Sequence, residues 1–153
     1  MEDNANKKTE QCIAELMARD HERLTSMFND FKHTKDKDIK QASKIFSKFH
    51  NELMNHEIVE NHIIKSAFGK KGKEKNKNLL PIAQSLEMDH VKIMNLMSNI
   101  SGEIKSNKAI DTSDFYLTLQ KHRNIEDRLL YPELDRVLSE KEKLKIFEII
   151  KNK

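Results

Sequence analysis

The stretch KDIKQASKIFSKFHNELMNHEIVENHIIKSAF, residues 37–68, carries the most regular pattern in the chain. Its core-type side chains recur at intervals of three and four residues, which is the spacing of the buried stripe of an amphipathic helix. The residues on this stripe are Ile39, Ala42, Phe46, Phe49, Leu53, His56, Glu60, Ile63 and Ala67. The stripe predicts a long helix packed in a bundle, with a histidine and a glutamate among its core positions.

Similar stripes predict three further long helices and a shorter one. The long ones cover residues 8–31, 79–105 and 113–131, and the short one starts at Ser139, where Ser-x-x-Glu is a capping-box signature. The stripe of the last long helix consists of Phe115, Leu119, His122, Glu126 and Leu129. We expect Pro132 to end or kink that helix, because proline lacks the backbone N–H that a helix interior requires. The predicted fold is an all-α, up-down-up-down four-helix bundle with a short C-terminal fifth helix.

The composition restricts the class of protein. A chain of 153 residues with 3 Gly, 2 Pro, no Trp and 35% charged residues is typical of one helix-rich domain, and it is poor in the residues that an all-β fold needs. The net charge of +3 is too small to indicate nucleic-acid binding, and the single Cys12 excludes an intrachain disulfide. No apolar run approaches the roughly 20 residues of a membrane span.

We therefore expect a cytoplasmic protein that binds neither nucleic acid nor membrane. Its single domain covers residues 1–153, with a core bundle at about 8–135 and the C-terminal helix at about 139–151.

One pattern of polar residues occurs twice. The two copies are Asp20-His21…His56-x-x-x-Glu60 and Asp89-His90…His122-x-x-x-Glu126. The first histidines of the copies lie 69 residues apart, and the second histidines and the glutamates each lie 66 residues apart. A repeat of this length predicts a duplicated helix hairpin in which each half contributes half of a shared site.

These residues fall on buried stripes, and that position determines their chemistry. Burying an isolated carboxylate costs several kcal/mol, so Glu60 and Glu126 need a partner. One buried histidine is usually a structural residue bonded to a carbonyl, but four histidines and two glutamates that converge need a common cation. Neutral imidazole and carboxylate together suit iron, manganese or zinc better than calcium or magnesium. The predicted ligands are His21, His56, Glu60, His90, His122 and Glu126.

Other polar residues near the stripes are predicted to lie outside the site. Asp20 and Asp89 each precede a ligand histidine and point off the stripe, so we interpret them as surface charges. Tyr131 is about one helical turn beyond Glu126 and could lie near the site, but we expect it to pack in the core. Surface positions are also predicted for His33, His50 and His62.

The motifs resemble those of the haemerythrin-like (HHE) cation-binding domains, in which an H…HxxxE…H…HxxxE set holds a non-haem di-iron centre in a four-helix bundle. The resemblance covers about residues 12–135. Residues 122–132 (HRNIEDRLLYP) look like the family's HxxxE(E/D)xxh(F/Y)P segment. Residues 56–61 (HEIVEN) are similar to the HExxEN stretch in the haemerythrin-like domain of the F-box leucine-rich-repeat iron sensor. The motif set is also similar to that of bacterial HHE proteins.

The resemblance implies two irons per chain, each bound by two of the histidines. Glu60 and Glu126 would bridge the irons together with an oxo or hydroxo group. The resemblance also implies that Glu57 is an additional iron ligand, whereas the residues alone equally allow a solvated charge on the helix surface. Unfilled positions on the irons would admit a small ligand such as O2, NO or peroxide.

Two departures from related proteins narrow the function. Oxygen-carrying haemerythrins have a histidine four residues after the third-helix histidine, where this chain has Met94 after His90. They also have an aspartate five residues after the fourth-helix histidine, whereas here Glu126 stands four residues after His122. Iron-centre repair proteins usually carry an N-terminal module with paired cysteines, and this chain has a single cysteine. The first departure argues against a simple respiratory carrier, and the second weakens the assignment as a repair protein.

Two classes of function remain. In the first, the protein binds or senses O2, NO or iron. In the second, it is a di-iron redox enzyme that breaks down peroxide, reduces NO or oxidises ferrous iron, with iron-centre repair as a special case. Catalysis needs a proton donor beside the open position, and only Tyr131 and Glu57 are candidates. The sequence therefore favours binding over catalysis, and it identifies no protein partner.

Overall fold

The computed structural model describes residues 12–69 and 76–152, and all the regular elements in these ranges are helices. They are α1 (Ile13–Thr34), α2 (Ile39–Ala67), α3 (Leu80–Lys105), α4 (Ser113–Ile125), a π-helical turn (Glu126–Leu130), α5 (Tyr131–Val137) and α6 (Glu140–Lys151). The all-helical class predicted from the sequence is confirmed. The predicted start of the first helix at residue 8, and the part of the domain before residue 12, lie outside the described residues.

Short polar side chains begin three of these helices. The Asp38 carboxylate accepts a hydrogen bond from the Gln41 backbone N–H at 3.1 Å, at the start of α2. Cys12 has the same role at α1, where its sulfur accepts from the Glu15 N–H at 3.3 Å. At α6 both hydrogen bonds of the Ser139 capping box are present, so that prediction is confirmed. Such bonds satisfy N–H groups that have no partner within the helix.

The helices pack so that a polar layer separates two apolar clusters. α1 packs against α2 and α5, α3 packs against α4, and α2 also contacts α3 and α6. The first cluster includes Ile13, Met17, Ile63, Leu86, Leu130, Tyr131 and Leu134. The second includes Leu24, Phe28, Phe49, Leu53, Ile93, Phe115 and Leu119. On each long helix, the predicted site residues lie between the part that contributes to one cluster and the part that contributes to the other.

A π-helical turn changes the register of the helical path after α4. The Tyr131 N–H bonds to the Glu126 carbonyl five residues earlier, so this turn holds one residue more than an α-helical turn. The extra residue buries Leu130 and leaves Leu129 52% exposed, so the prediction that Leu129 faces the core is wrong. The expected break at Pro132 takes the form of this turn, and the helical path then continues to Val137.

A second prediction about the core is also wrong. Ile39 is 37% exposed, because it is the first residue of α2 and lies beyond the end of the second apolar cluster. Among the described residues, no helix has an apolar stretch long enough to cross a membrane.

Candidate metal centre

The six predicted ligands meet in the polar layer between the two apolar clusters. They come from four different helical segments and the π-helical turn: His21 on α1, His56 and Glu60 on α2, His90 on α3, His122 on α4, and Glu126 at the start of the turn. All six are buried, with exposed fractions between 0 and 6%. Within each of the pairs His56/Glu60 and His122/Glu126, the two residues are four positions apart and share a helix face. Both side chains of a pair therefore point into the layer.

The six residues form two overlapping groups of four. One group is His21, His56, Glu60 and Glu126, and the other is Glu60, His90, His122 and Glu126. In each group the candidate ligand atoms all lie within 4.8 Å of one another, so each group could hold a metal ion. Both glutamates belong to both groups. The pseudo-symmetry of the duplicated sequence therefore appears in the structure as two adjoining positions that share their carboxylates.

The imidazole Nε2 atoms face each other in pairs. The Nε2 atoms of His21 and His56 lie 3.0 Å apart, and those of His90 and His122 lie 3.2 Å apart. A metal ion can replace such a contact only if both nitrogens have lost their proton, because a coordinating imidazole is neutral. Each histidine must therefore carry its proton on Nδ1.

Each Nδ1 has an oxygen partner that can accept this proton's hydrogen bond. The distances are 3.0 Å from His21 to Asp127, 2.6 Å from His56 to Asp20, 3.2 Å from His90 to Asn61 and 3.2 Å from His122 to Asp89. An acceptor at Nδ1 fixes the tautomer and the ring orientation, and a carboxylate also makes Nε2 more basic. These four acceptors therefore favour the tautomer that leaves each Nε2 free to bind a metal once the imidazole is neutral.

The interpretation of Asp20 and Asp89 as surface charges is therefore wrong. Asp20 is buried, with 8% exposed, and the Asp89 side chain is 31% exposed. Each reaches across to the second histidine of its own copy, because a residue next to the stripe faces the neighbouring helix rather than solvent. The partners of the first histidines, Asp127 and Asn61, each follow a glutamate of the opposite copy. The repeated Asp-His dipeptide was the signal in the sequence that could have indicated these contacts.

Three buried glutamate oxygens have no hydrogen-bond partner, and two of them belong to the six predicted ligands. Those two are Oε2 of Glu60 and Oε1 of Glu126, and the third is Oε1 of Glu57. A buried ionised oxygen left without a donor is costly. A cation in the layer would satisfy the two ligand atoms, so the residues that are present fit a bound metal.

The histidines and Glu60 stabilise each other's charged forms. Burial alone would raise the pKa of Glu60, but the imidazoles of His56, His122 and His21 lower it well below its usual value. Burial disfavours the charged form of His21, yet hydrogen bonds to Asp127 and Glu60 outweigh this and raise its pKa. The pKa of His90 is raised in the same way, since contact with Glu60 outweighs burial. Without a metal, the raised pKa values of His21 and His90 therefore favour positive charge in the layer.

Tyr131 belongs to the first apolar cluster, and its polar side chain contacts the carboxylate of a predicted ligand. Its hydroxyl donates to Oε2 of Glu126 at 3.1 Å, and the residue is 0% exposed. Burial and the nearby charge of Glu60 raise the pKa of this phenol well above its usual value, so it remains a hydrogen-bond donor. The prediction that Tyr131 packs in the core is correct for its ring, but the sequence did not indicate this contact of the hydroxyl.

Residues of opposite charge follow the second histidine of each copy. Glu57 is 7% exposed, so its interpretation as a solvated surface charge is wrong. Burial raises its pKa to about 7, its Oε1 has no hydrogen-bond partner, and it belongs to neither group of four. Arg123 is 4% exposed and its Nη1 donates to the Thr25 hydroxyl. Burial lowers the pKa of Arg123 to about 10, which leaves it charged at neutral pH.

A surface groove of about 580 Å³ leads to the first group of ligands. Its lining includes His21, Thr25, Arg123 and Asp127. The groove offers a small molecule an approach to His21 from the α1–α4 side of the protein.

Two of the histidines predicted to lie at the surface, His33 and His62, are exposed, and His50 is half-buried.

No protein-family model, no curated protein and no solved structure matches this chain.

Proposed function

We propose that this chain is a haemerythrin-like protein whose polar layer binds two iron ions, and that it binds or senses O2, NO or iron. The observation that carries the proposal is the pair of overlapping ligand groups, which share Glu60 and Glu126 in a buried layer. The proposal includes the up-down-up-down order of the four long helices, which is the arrangement that the family resemblance implies. Its ligands are the four histidines and two glutamates of these groups.

The donor set supports a first-row transition metal. Imidazole nitrogen with carboxylate oxygen suits iron, manganese and zinc, whereas calcium and magnesium prefer oxygen alone. Two histidines in each group, with two shared carboxylates, give each ion four protein ligands. Iron would supply the capacity to bind O2 or NO at positions that the protein leaves free. Glu57, buried with an unpartnered oxygen, is proposed as an additional ligand.

The protein's own residues prepare this layer. The Nδ1 partners orient the four imidazoles before any ion arrives. The apolar clusters above and below exclude bulk water, and the groove beside His21 limits entry to small molecules. Binding of the ions would displace the protons that the raised pKa values of His21 and His90 favour in the metal-free protein, so metal uptake is coupled to proton release.

A redox enzyme is the second candidate, and one residue favours it. Glu57, whose pKa of about 7 allows it to exchange a proton near neutral pH, is a buried proton donor one residue from His56. The buried Tyr131 hydroxyl is the other candidate, but its raised pKa disfavours release of its proton. Binding remains the favoured function, because neither group lines the groove through which a small molecule approaches.

An anaerobic Fe(II) titration of the metal-free protein tests the proposal. We expect saturation at two ions per chain, and an oxygen-dependent charge-transfer band in the visible spectrum when O2 is then admitted. Loss of the band when O2 is withdrawn would indicate reversible binding, and persistence would indicate a sensing or redox role. Steady-state assays with peroxide and with NO separate the enzyme from the binding protein.

The matched control for this titration is Glu126→Ala. Glu126 belongs to both ligand groups, so its loss should remove bound iron from both positions. Saturation of the wild-type protein below two ions, or a Glu126→Ala protein that keeps both, would contradict the proposal.

A further inference from the structure

The two shared glutamates present their oxygens to the layer in different ways. Glu60 uses both: Oε1 contacts His56 and lies 3.9 Å from His21, whereas Oε2 lies 3.5 Å from His90 and 3.6 Å from His122. The carboxylate thus spans the two positions with one oxygen for each. It is arranged to bridge two ions through two atoms.

Glu126 presents a single oxygen. Its Oε1 lies 3.4 Å from His21 Nε2 and 3.2 Å from His122 Nε2, so the same atom faces both positions. Its other oxygen, Oε2, accepts the hydrogen bond of the Tyr131 hydroxyl at 3.1 Å. Oε1 is the oxygen of Glu126 that has no hydrogen-bond partner. The difference between the two glutamates therefore coincides with the presence of this phenol.

Tyr131 is well placed to hold that oxygen. Its backbone N–H bonds to the Glu126 carbonyl in the π-helical turn, so side chain and backbone of Tyr131 both contact the same residue. Its ring is fixed in the first apolar cluster, and Tyr131 and Glu126 are each 0% exposed. A hydrogen bond to a charged group in such a dry environment is among the stronger ones in proteins.

We propose that Tyr131 is a positioning residue that restricts Glu126 to binding metal through Oε1 alone. The proposal rests on the function proposed above, because it presumes that ions occupy both positions. With Oε2 retained by the phenol, Glu126 would contact both ions through the same oxygen, whereas Glu60 would contact each ion through a different oxygen. Tyr131 thus determines which oxygen of Glu126 reaches the ions.

Tyr131→Phe tests the proposal in the full chain, because phenylalanine keeps the ring and removes only the hydroxyl. The readout is the infrared difference spectrum between metal-free and Fe(II)-loaded protein, recorded anaerobically. A carboxylate bound through one oxygen separates its antisymmetric and symmetric stretches more widely than one bound through two. We expect a wide pair of bands from Glu126 in the wild type and a narrow pair in its place in Tyr131→Phe. A wide pair from Glu57, if that carboxylate also binds, would be the same in both proteins.

The wide pair is assigned by its loss in Glu126→Gln. Tyr116→Phe is the matched control, since it removes the hydroxyl of the chain's other tyrosine, which packs against Phe28 away from the layer. We expect Tyr131→Phe to bind Fe(II) about as tightly as the wild type, because the freed Oε2 takes over one of the two metal contacts that Oε1 makes. A merely structural tyrosine would instead weaken binding when its hydroxyl is removed.

A wild-type band pattern in folded, iron-loaded Tyr131→Phe would overturn the proposal. If that variant does not fold, Tyr116→Phe protein carrying ring-13C tyrosine decides the matter, because its only phenol C–O stretch belongs to Tyr131. We expect that stretch to report donation to a carboxylate both before and after Fe(II) is added, and loss of donation on loading would overturn the proposal. A wild type without any metal-induced carboxylate bands would refute the metal centre itself, and this proposal with it.

Discussion

Replacing Glu57 by glutamine should stabilise the metal-free protein, by an amount that grows with pH. In the unfolded chain this carboxyl ionises near its ordinary pKa of 4.5, whereas burial in the folded protein raises its pKa to about 7. Between these values the folded protein holds more protons than the unfolded chain. Its free energy of unfolding therefore falls as the pH rises through this window, and the loss is complete above about pH 7.

The size of the effect follows from the two pKa values. Each pKa unit corresponds to about 1.4 kcal/mol, so a rise from 4.5 to about 7 is worth about 3 kcal/mol. Glutamine has nearly the same volume and does not ionise, so Glu57→Gln escapes this loss without opening a cavity. We expect a gain below about 1 kcal/mol at pH 5 and of about 3 kcal/mol at pH 8.5.

Urea unfolding of the metal-free proteins at both pH values measures the gain. With a denaturant slope of about 2 kcal/mol per molar, the midpoint of Glu57→Gln should exceed that of the wild type by about 1.5 M at pH 8.5. Glu22→Gln, at an exposed position of α1, is the control for removing a negative charge. A gain that is the same at pH 5 and pH 8.5 would refute the reasoning. If Glu57 is also a ligand, the gain in stability of Glu57→Gln over the wild type should disappear when Fe(II) is present.

Two further predictions concern metal binding. Asp20→Asn should weaken Fe(II) affinity by about 10- to 100-fold, because it replaces the carboxylate that holds His56 Nδ1. Anaerobic titration measures this affinity. Asp30→Asn, at an exposed position of the same helix, is the control and should leave the affinity unchanged. Two Fe(II) ions, each at about 100 times its dissociation constant, should stabilise the wild type by about 5 kcal/mol (about 2.7 kcal/mol per ion) and raise its melting temperature by roughly 10–20 °C. An equal rise in Glu126→Ala would show that the ions bind elsewhere.

The sequence predicted the six residues of the layer because they obey the same periodicity as the apolar core. A helix of regular pitch buries whatever lies on its stripe, so His56 and Glu60 are buried for the same reason as Leu53 and Ile63. Desolvation then requires that such groups share a counter-charge, which is the argument that led to a metal. These two steps need only local spacing and the cost of burying charge.

Periodicity does not reveal contacts made at the edge of a stripe. Asp20 and Asp89 stand one residue before their histidines, where a helix surface and a helix–helix groove give the same sequence pattern. Which of the two applies depends on how closely the neighbouring helix approaches, and that is set by packing elsewhere in the bundle. Periodicity did not predict the burial of Glu57 and Arg123 for the same reason, because each lies one residue after a histidine of the stripe.

The π-helical turn was missed because the periodicity argument assumes a constant pitch. Leu129 satisfies the α-helical spacing from Glu126, and only the additional residue in the turn exposes it. The same residue brings Tyr131 back onto the layer, where its hydroxyl contacts Glu126. Pro132 indicated a disturbance of the helix at this point but not the form that the disturbance takes.

The most direct test of the account is an anomalous difference map at the iron absorption edge, from crystals of protein loaded anaerobically with two equivalents of Fe(II). We predict two peaks about 3.5–4 Å apart, one beside His21 and His56 and the other beside His90 and His122, with the Glu60 carboxylate between them. A single peak, or peaks outside the layer formed by these residues, would contradict the claim that the duplicated motif builds one centre for two ions.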